Sequence, residues 1–171
     1  HDAERLRLVT SLASATAVVP LEGGITNRNY RVKTPVRDYV VRLSDPETSV
    51  LAIDRENEYL NSVAAALSGA GAPVAQYVPG RGVLVVEWIV GRTFVEDDVR
   101  SPENLPRIAD ACRLLHAGPL FASDFNMFDI QERYLALVRE RGFRLPERYE
   151  EFLPAVRRMR IAMDAHPEGI V

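Results

Sequence analysis

The segment Leu21-Glu22-Gly23-Gly24-Ile25-Thr26-Asn27-Arg28-Asn29-Tyr30 places two glycines between two strand-like runs. Lacking Cβ atoms, Gly23 and Gly24 let the backbone amides approach a ligand closely, and Thr26 and Asn27 add short polar groups at the tip. A concave row of N–H donors suits a phosphate. The same glycines also suit a plain hairpin turn, where they supply positive φ, and the segment alone does not choose. Arg42 adds weight to the phosphate. It lies in the apolar run Val40-Val41-Arg42-Leu43, where an unpaired charge is costly, although an edge-strand arginine can also snorkel to water. The next helical stretch offers carboxylates in Asp54-Arg55-Glu56-Asn57-Glu58. Glu56 and Glu58 project about 200° apart on a helix, so only one can face the sheet; Glu58 is preferred, because it precedes the Leu60 and Val63 stripe by one turn. His116 closes an amphipathic helix at Leu114-Leu115-His116, where a histidine more often caps or packs than catalyses. Lys33 is the single lysine, so any role for a lysine falls to it or to an arginine.

The elements that must position these groups follow from periodicity. Residues 1–17 read as a short helix with Leu6, Leu8, Val9 and Leu12 on one side. Residues 18–21, 29–32 and 39–43 read as strands. Ser44-Asp45-Pro46-Glu47 has the spacing of a capping box, and a helix is predicted over 50–67, with Ile53, Leu60, Val63 and Leu67 near helical spacing. Residues 74–78 and 83–89 form a predicted hairpin around Pro79-Gly80-Arg81-Gly82. After Gly91 the pattern turns helical, over 102–116, 128–141 and 146–165; Leu105, Ile108, Ala109, Cys112 and Leu115 form an apolar stripe on the first of these. Strands with one inserted helix, then helices only, predict an α+β arrangement of two lobes, with a hinge near 88–91.

Composition narrows the class. The chain has 171 residues, 47% hydrophobic and 26% charged, with net charge −3. These values are ordinary for a folded domain and lack the basic footprint of a nucleic-acid binder. No apolar run approaches the roughly 20 residues that span a bilayer. The single Cys112 excludes an intramolecular disulfide and a multi-cysteine zinc site, and fits a reducing, cytoplasmic setting.

Together, Gly23-Gly24-Ile25-Thr26-Asn27, Val41-Arg42, Asp54-Arg55-Glu56-Asn57-Glu58, Glu87-Trp88-Ile89 and Leu115-His116 resemble the choline/ethanolamine kinase family, a branch of the aminoglycoside-phosphotransferase-like kinases. The resemblance covers nearly the whole chain in order and spacing. It implies a protein-kinase-like two-lobe fold, with an antiparallel sheet of about five strands and one helix, then an incomplete helical lobe. By this resemblance residues 1–90 form the nucleotide-binding lobe and residues 91–171 begin the helical lobe, ending before the catalytic loop. The implied activity is transfer of phosphate from ATP, with Mg2+, to the hydroxyl of a small amino alcohol such as choline or ethanolamine. Nucleotide-binding residues would be Gly23, Gly24, Thr26, Asn27, Arg42 and Glu58, with backbone groups of Glu87 and Ile89 meeting the adenine edge. Other acceptors of the superfamily, aminoglycosides, homoserine or sugars, are the alternative, as is a catalytically dead nucleotide-binding or interaction module. The family's His-x-Asp loop and metal aspartate have no counterpart here: the histidines are His1, His116 and His166, and His166 is followed by Pro167-Glu168. Metal ligands are therefore expected beyond Val171, and the 171 residues by themselves are expected to be inactive. Apolar side chains around Leu114-Leu115 and Phe152-Val156 are expected to stay uncovered.

Overall fold

A computed structural model describes residues 2–22, 27–44, 54–123 and 125–165. Residues 1–123 and 124–171 form two compact units. In the first unit, α1 (Asp2–Leu6) and a 3-10 turn (Thr10–Leu12) precede β1 (Ala17–Leu21), β2 (Asn27–Lys33) and β3 (Tyr39–Ser44). Helix α2 (Arg55–Leu67), the hairpin of β4 (Val74–Val78) and β5 (Val83–Glu87), then α3 (Glu96–Arg100) and α4 (Leu105–His116) complete it. The five strands form one antiparallel sheet in the order β1-β2-β3-β5-β4.

Alternation gives the sheet two chemically different faces. Register aligns Tyr30 with Val41 and Val41 with Val85, and Leu43 with Val83. These side chains share one face, where Val32, Val41, Leu43, Val83 and Val85 are fully buried beneath Leu6, Val9 and Leu12 of the N-terminal segment. That segment is a single turn of helix and a 3-10 turn, not the helix predicted over 1–17. It is bolted down by polar groups. Arg5 Nη2 donates to the carbonyls of Ser44 at 2.9 Å and Gly82 at 2.8 Å, and Arg5 Nε donates to Arg81 O at 3.1 Å. Asp2 accepts the Tyr30 hydroxyl at 2.6 Å and pairs with Arg28 at 3.0 Å. Gly82, at φ +58°, leaves the guanidinium its space: a Cβ there would stand 3.0 Å from Arg5 Nη2.

The opposite face carries Asn27, Asn29 and Arg31 of β2, Val40 and Arg42 of β3, and Leu84 and Val86 of β5, as the register shows. Helix α2 lies on this side, with Tyr59 stacked on Tyr77 of β4 at 4.4 Å between centroids. Its start is later than predicted. Asp54 takes an extended backbone, and its Oδ1 accepts from Glu56 N at 2.9 Å and Asn57 N at 3.2 Å, a cap that satisfies two of the first free N–H groups. The predicted capping box at 44–47 lies outside the described residues from Asp45 on, as does Ile53. The buried side chain of α2 is Ala64, whereas Leu60 and Leu67 are 43% and 72% exposed. Of the predicted stripe Val63 is half-buried, and the contacts of α2 with the sheet include Glu58 on Arg42 and Tyr59 on Tyr77. On α4, Leu105 and Cys112 of the predicted stripe are likewise exposed.

The short α3 is not marked by any sequence pattern above; its first turn is closed by Asp98 Oδ2 accepting from Val95 N at 2.9 Å. The chain after α4 docks on α2, where Asn61 Oδ1 accepts Ala122 N at 2.8 Å and Asn57 Nδ2 donates to Ser123 Oγ at 3.2 Å. In the second unit, α5 (Met127–Glu140) and α6 (Tyr149–Asp164) form an antiparallel hairpin. Arg139 pairs with Glu150 near the turn, and Arg160 with Asp129 at the far end, both at 2.7 Å. Asn126 caps α5 by accepting Phe128 N at 2.9 Å, and α6 begins at Tyr149 rather than at Pro146. Phe128 and Leu135 are buried, while Phe152, Met159 and Ile161 are exposed.

Candidate functional site

The polar face of the sheet holds the chemistry in rows that run across the strands. Asn27, the first residue of β2 and so the one that follows residues 23–26, stands opposite Ser44, the last residue of β3. The next row is Asn29, Arg42 and Leu84, and the row after it Arg31, Val40 and Val86. Gly23, Gly24 and Thr26 lie outside the described residues; the strands on either side of them, β1 and β2, are described.

Arg42 is the cation of the second row. Its Nη1 donates to Glu58 Oε1 at 2.5 Å, and Arg55 Nη1 donates to Glu58 Oε2 at 2.8 Å. One carboxylate thus holds two guanidinium groups. Glu56, two residues away on α2, is exposed and faces elsewhere. Burial pushes the Glu58 carboxyl up, but the hydrogen bonds and charges of Arg42 and Arg55 outweigh it, so its pKa lies below the ordinary value. The Glu58 side chain is 19% exposed and that of Arg42 40%, so the pair is anchored on the helix side and open on the strand side. Beside it, the Oδ1 atoms of Asn27 and Asn29 are buried with no hydrogen-bond partner. The two orphaned carboxamide oxygens are acceptors, which the hydroxyl or N–H donors of a ligand would satisfy, while the half-open guanidinium suits phosphate oxygens.

At the other end of β5, Glu87 N–H donates to Pro73 O at 2.9 Å and Trp88 N–H to Asp38 O at 3.0 Å. The Glu87 carboxylate pairs with Arg37. Its amide is therefore spent inside the sheet, and only its carbonyl remains for a base edge. The next amide facing the same way, that of Ile89, has no partner among the described residues, and its side chain is exposed. His116 is the exposed last residue of α4. No three His, Cys, Asp or Glu side chains among the described residues come together. None of the described helices is long and apolar enough to cross a membrane.

The model of the APH phosphotransferase enzyme family matches residues 17–170. The chain belongs to this phosphotransferase family. Among solved structures it is similar to a choline/ethanolamine kinase family protein from Mesorhizobium loti, at 28% identity and a TM-score of 0.75, over 97% of this chain and 54% of that one. It is similar in fold to choline kinase LicA from Streptococcus pneumoniae, with 22% identity, a TM-score of 0.75 and coverage of 96% and 58%; LicA has also been solved in complex with AMP. The Plasmodium vivax ethanolamine kinase aligns at 21% identity and a TM-score of 0.59, over 84% of this chain and 42% of its own. No curated protein matches the chain. The chain spans about half the length of the solved relatives. The α+β, kinase-like fold is thus that of the phosphotransferases, and the antiparallel five-stranded sheet followed by helices is as the sequence implied.

Two groups at this site are not singled out by the sequence reasoning above. Asn29 does carry a signal, since it sits two residues after Asn27 and so shares its face of β2. Arg55 gives no such signal, because an arginine on the first turn of a helix is ordinary until its partner is known.

Proposed function

We propose that this chain carries the nucleotide-holding part of an ATP-dependent phosphotransferase whose acceptor is the hydroxyl of a small amino alcohol, choline or ethanolamine. The observation that carries the reading is the Glu58-anchored Arg42 guanidinium on the same sheet face as the unpartnered carboxamide oxygens of Asn27 and Asn29. In this reading the backbone of residues 23–26, with Thr26 and Asn27, cradles the phosphates, Arg42 neutralises their oxygens, and the Glu87 carbonyl and Ile89 N–H meet the adenine edge. The likeness to choline and ethanolamine kinases supports the acceptor class. The protein works in the cytoplasm, where ATP and such amino alcohols meet.

Phosphoryl transfer needs little covalent chemistry from the protein; positioning and charge stabilisation dominate. The acceptor hydroxyl attacks the γ-phosphorus, the bond to the β–γ bridging oxygen breaks, and the hydroxyl proton must pass to a base. Magnesium, when bound, draws charge off the β- and γ-phosphate oxygens. Within residues 1–171 Arg42 supplies positive charge and Glu58 its aim, while the base and the metal carboxylates lie in further residues. Calorimetry of purified residues 1–171 with ATP tests the binding: measurable affinity that falls in Arg42→Ala supports it, and unchanged affinity in that variant removes Arg42 from the site. Incubation with ATP, magnesium and choline or ethanolamine tests the rest. No turnover above background is expected, and turnover would show that the catalytic groups lie within this chain.

A further inference from the structure

Arg31 takes no part in the phosphate row, yet it faces the same side of the sheet, in the adjacent row Arg31, Val40 and Val86. The two rows are about 7 Å apart along the strands. Its guanidinium is held on two sides. The central carbon lies 4.1 Å from the centroid of the Trp88 ring, and Nε and Nη2 donate to Asp38 Oδ2 at 2.8 and 2.5 Å. Trp88 is tied to the same residue through its N–H on Asp38 O at 3.0 Å. Nη1 has no partner among the described residues, and 33% of the Arg31 side chain stays exposed. A lone exposed ion pair contributes little stability. A guanidinium fixed in its plane by a carboxylate and backed by an indole is, by contrast, a flat, weakly hydrated surface that favours a further ring.

We propose that Arg31 is a base-stacking residue that selects purine nucleotides. With the phosphates on Arg42, the nucleobase reaches the row of Val40 and Val86, and its ring rests against the Arg31 guanidinium, so that base, Arg31 and Trp88 form three layers. This rests on the nucleotide reading above and adds the residue that reads the base. Stacking measures ring area, so a purine is preferred to a pyrimidine.

Trp88 is the single tryptophan and reports directly. Residues 1–171 are titrated with ATP, UTP and inorganic tripolyphosphate, following calorimetric heat and Trp88 emission. ATP is expected to change the emission and bind more tightly than UTP, with tripolyphosphate leaving the emission unchanged. Arg31→Leu should weaken ATP about tenfold, in the range that stacking of a base on a side chain provides, and leave tripolyphosphate within about twofold. Arg31→Lys, which keeps the charge without the plane, should behave like Arg31→Leu; if the leucine variant does not fold by circular dichroism, the lysine variant decides. The inference is overturned if the variants bind ATP as the wild type does, if they lose ATP and tripolyphosphate equally, or if the wild type binds ATP and UTP alike. Absence of binding by both ATP and tripolyphosphate in the wild type would instead overturn the nucleotide reading itself.

Discussion

Replacing Glu58 by glutamine separates aiming from neutralisation at Arg42. The carboxylate holds Arg42 at 2.5 Å and Arg55 at 2.8 Å and is largely covered. Glutamine keeps one acceptor oxygen but removes the charge, leaving two guanidinium groups across a neutral amide. Each part-exposed, charge-assisted bond contributes about 0.5–1.5 kcal/mol. The variant should therefore lose about 1–3 kcal/mol, which lowers Tm by roughly 2–12 °C in a chain of this size. Two effects then compete in ATP binding. Removing a negative charge some 6 Å from a phosphate would favour binding by about 0.7 kcal/mol in a water-like medium. Releasing Arg42 from its anchor forfeits a charged hydrogen bond to the phosphate, which is typically about 1.5–3 kcal/mol. Loss of aim outweighs the gain in charge, so Glu58→Gln should bind ATP about fivefold more weakly, a net of about 1 kcal/mol. Differential scanning fluorimetry reads the change in Tm and calorimetry the change in affinity. Tighter ATP binding in Glu58→Gln, or an unchanged Tm, would refute the idea that this carboxylate aims Arg42.

The same carboxylate sets an acid limit. Because its folded pKa lies below the ordinary value of 4.5, the stability it contributes is present above that value and disappears as pH falls through the folded pKa; the Tm gap between wild type and Glu58→Gln should narrow progressively as pH is lowered below 4.5. Arg5→Ala removes the donors on the carbonyls of Ser44, Arg81 and Gly82 and should cost about 1–3 kcal/mol in urea unfolding, since charged hydrogen bonds to exposed and part-buried carbonyls are lost. Gly118→Ala would set a Cβ 2.5 Å from Ser68 Cβ, so the segment after α4 must lift off α2; a loss of about 1–3 kcal/mol and faster protease cleavage within residues 117–123 are expected.

Short-range patterns carried much of this protein. The short valine-rich apolar runs at 39–43 and 83–87, bounded by turn formers, read as strands, because β-branched side chains suit a pleated surface buried in part on both faces. The switch to helical spacing after Gly91 separates sheet from helices for the same reason. The cost of a bare guanidinium in an apolar strand favoured a carboxylate partner over snorkelling to water, and the roughly 200° between Glu56 and Glu58 meant that only one of them could face the sheet. The glycine turn, the strand arginine and the acidic helix together resembled the family to which the chain belongs.

Tertiary structure decided what depends on register and layer. On α2, Leu60 and Leu67 are exposed while Ala64 is buried, and nothing local distinguishes an apolar side chain that will be covered from one that will not. Asp54 rather than the Ser44 motif caps that helix, since a cap is chosen by where the backbone leaves the extended region. Arg5 meets Ser44 and Gly82, and Arg31 meets Trp88, across 39, 77 and 57 residues of chain. Such pairs follow from strand order β1-β2-β3-β5-β4 and from which face each residue takes. Periodicity tells how a segment divides its faces; only the assembled sheet brings two distant faces together, and that is what set Asn29, Arg42 and Arg31 on one surface.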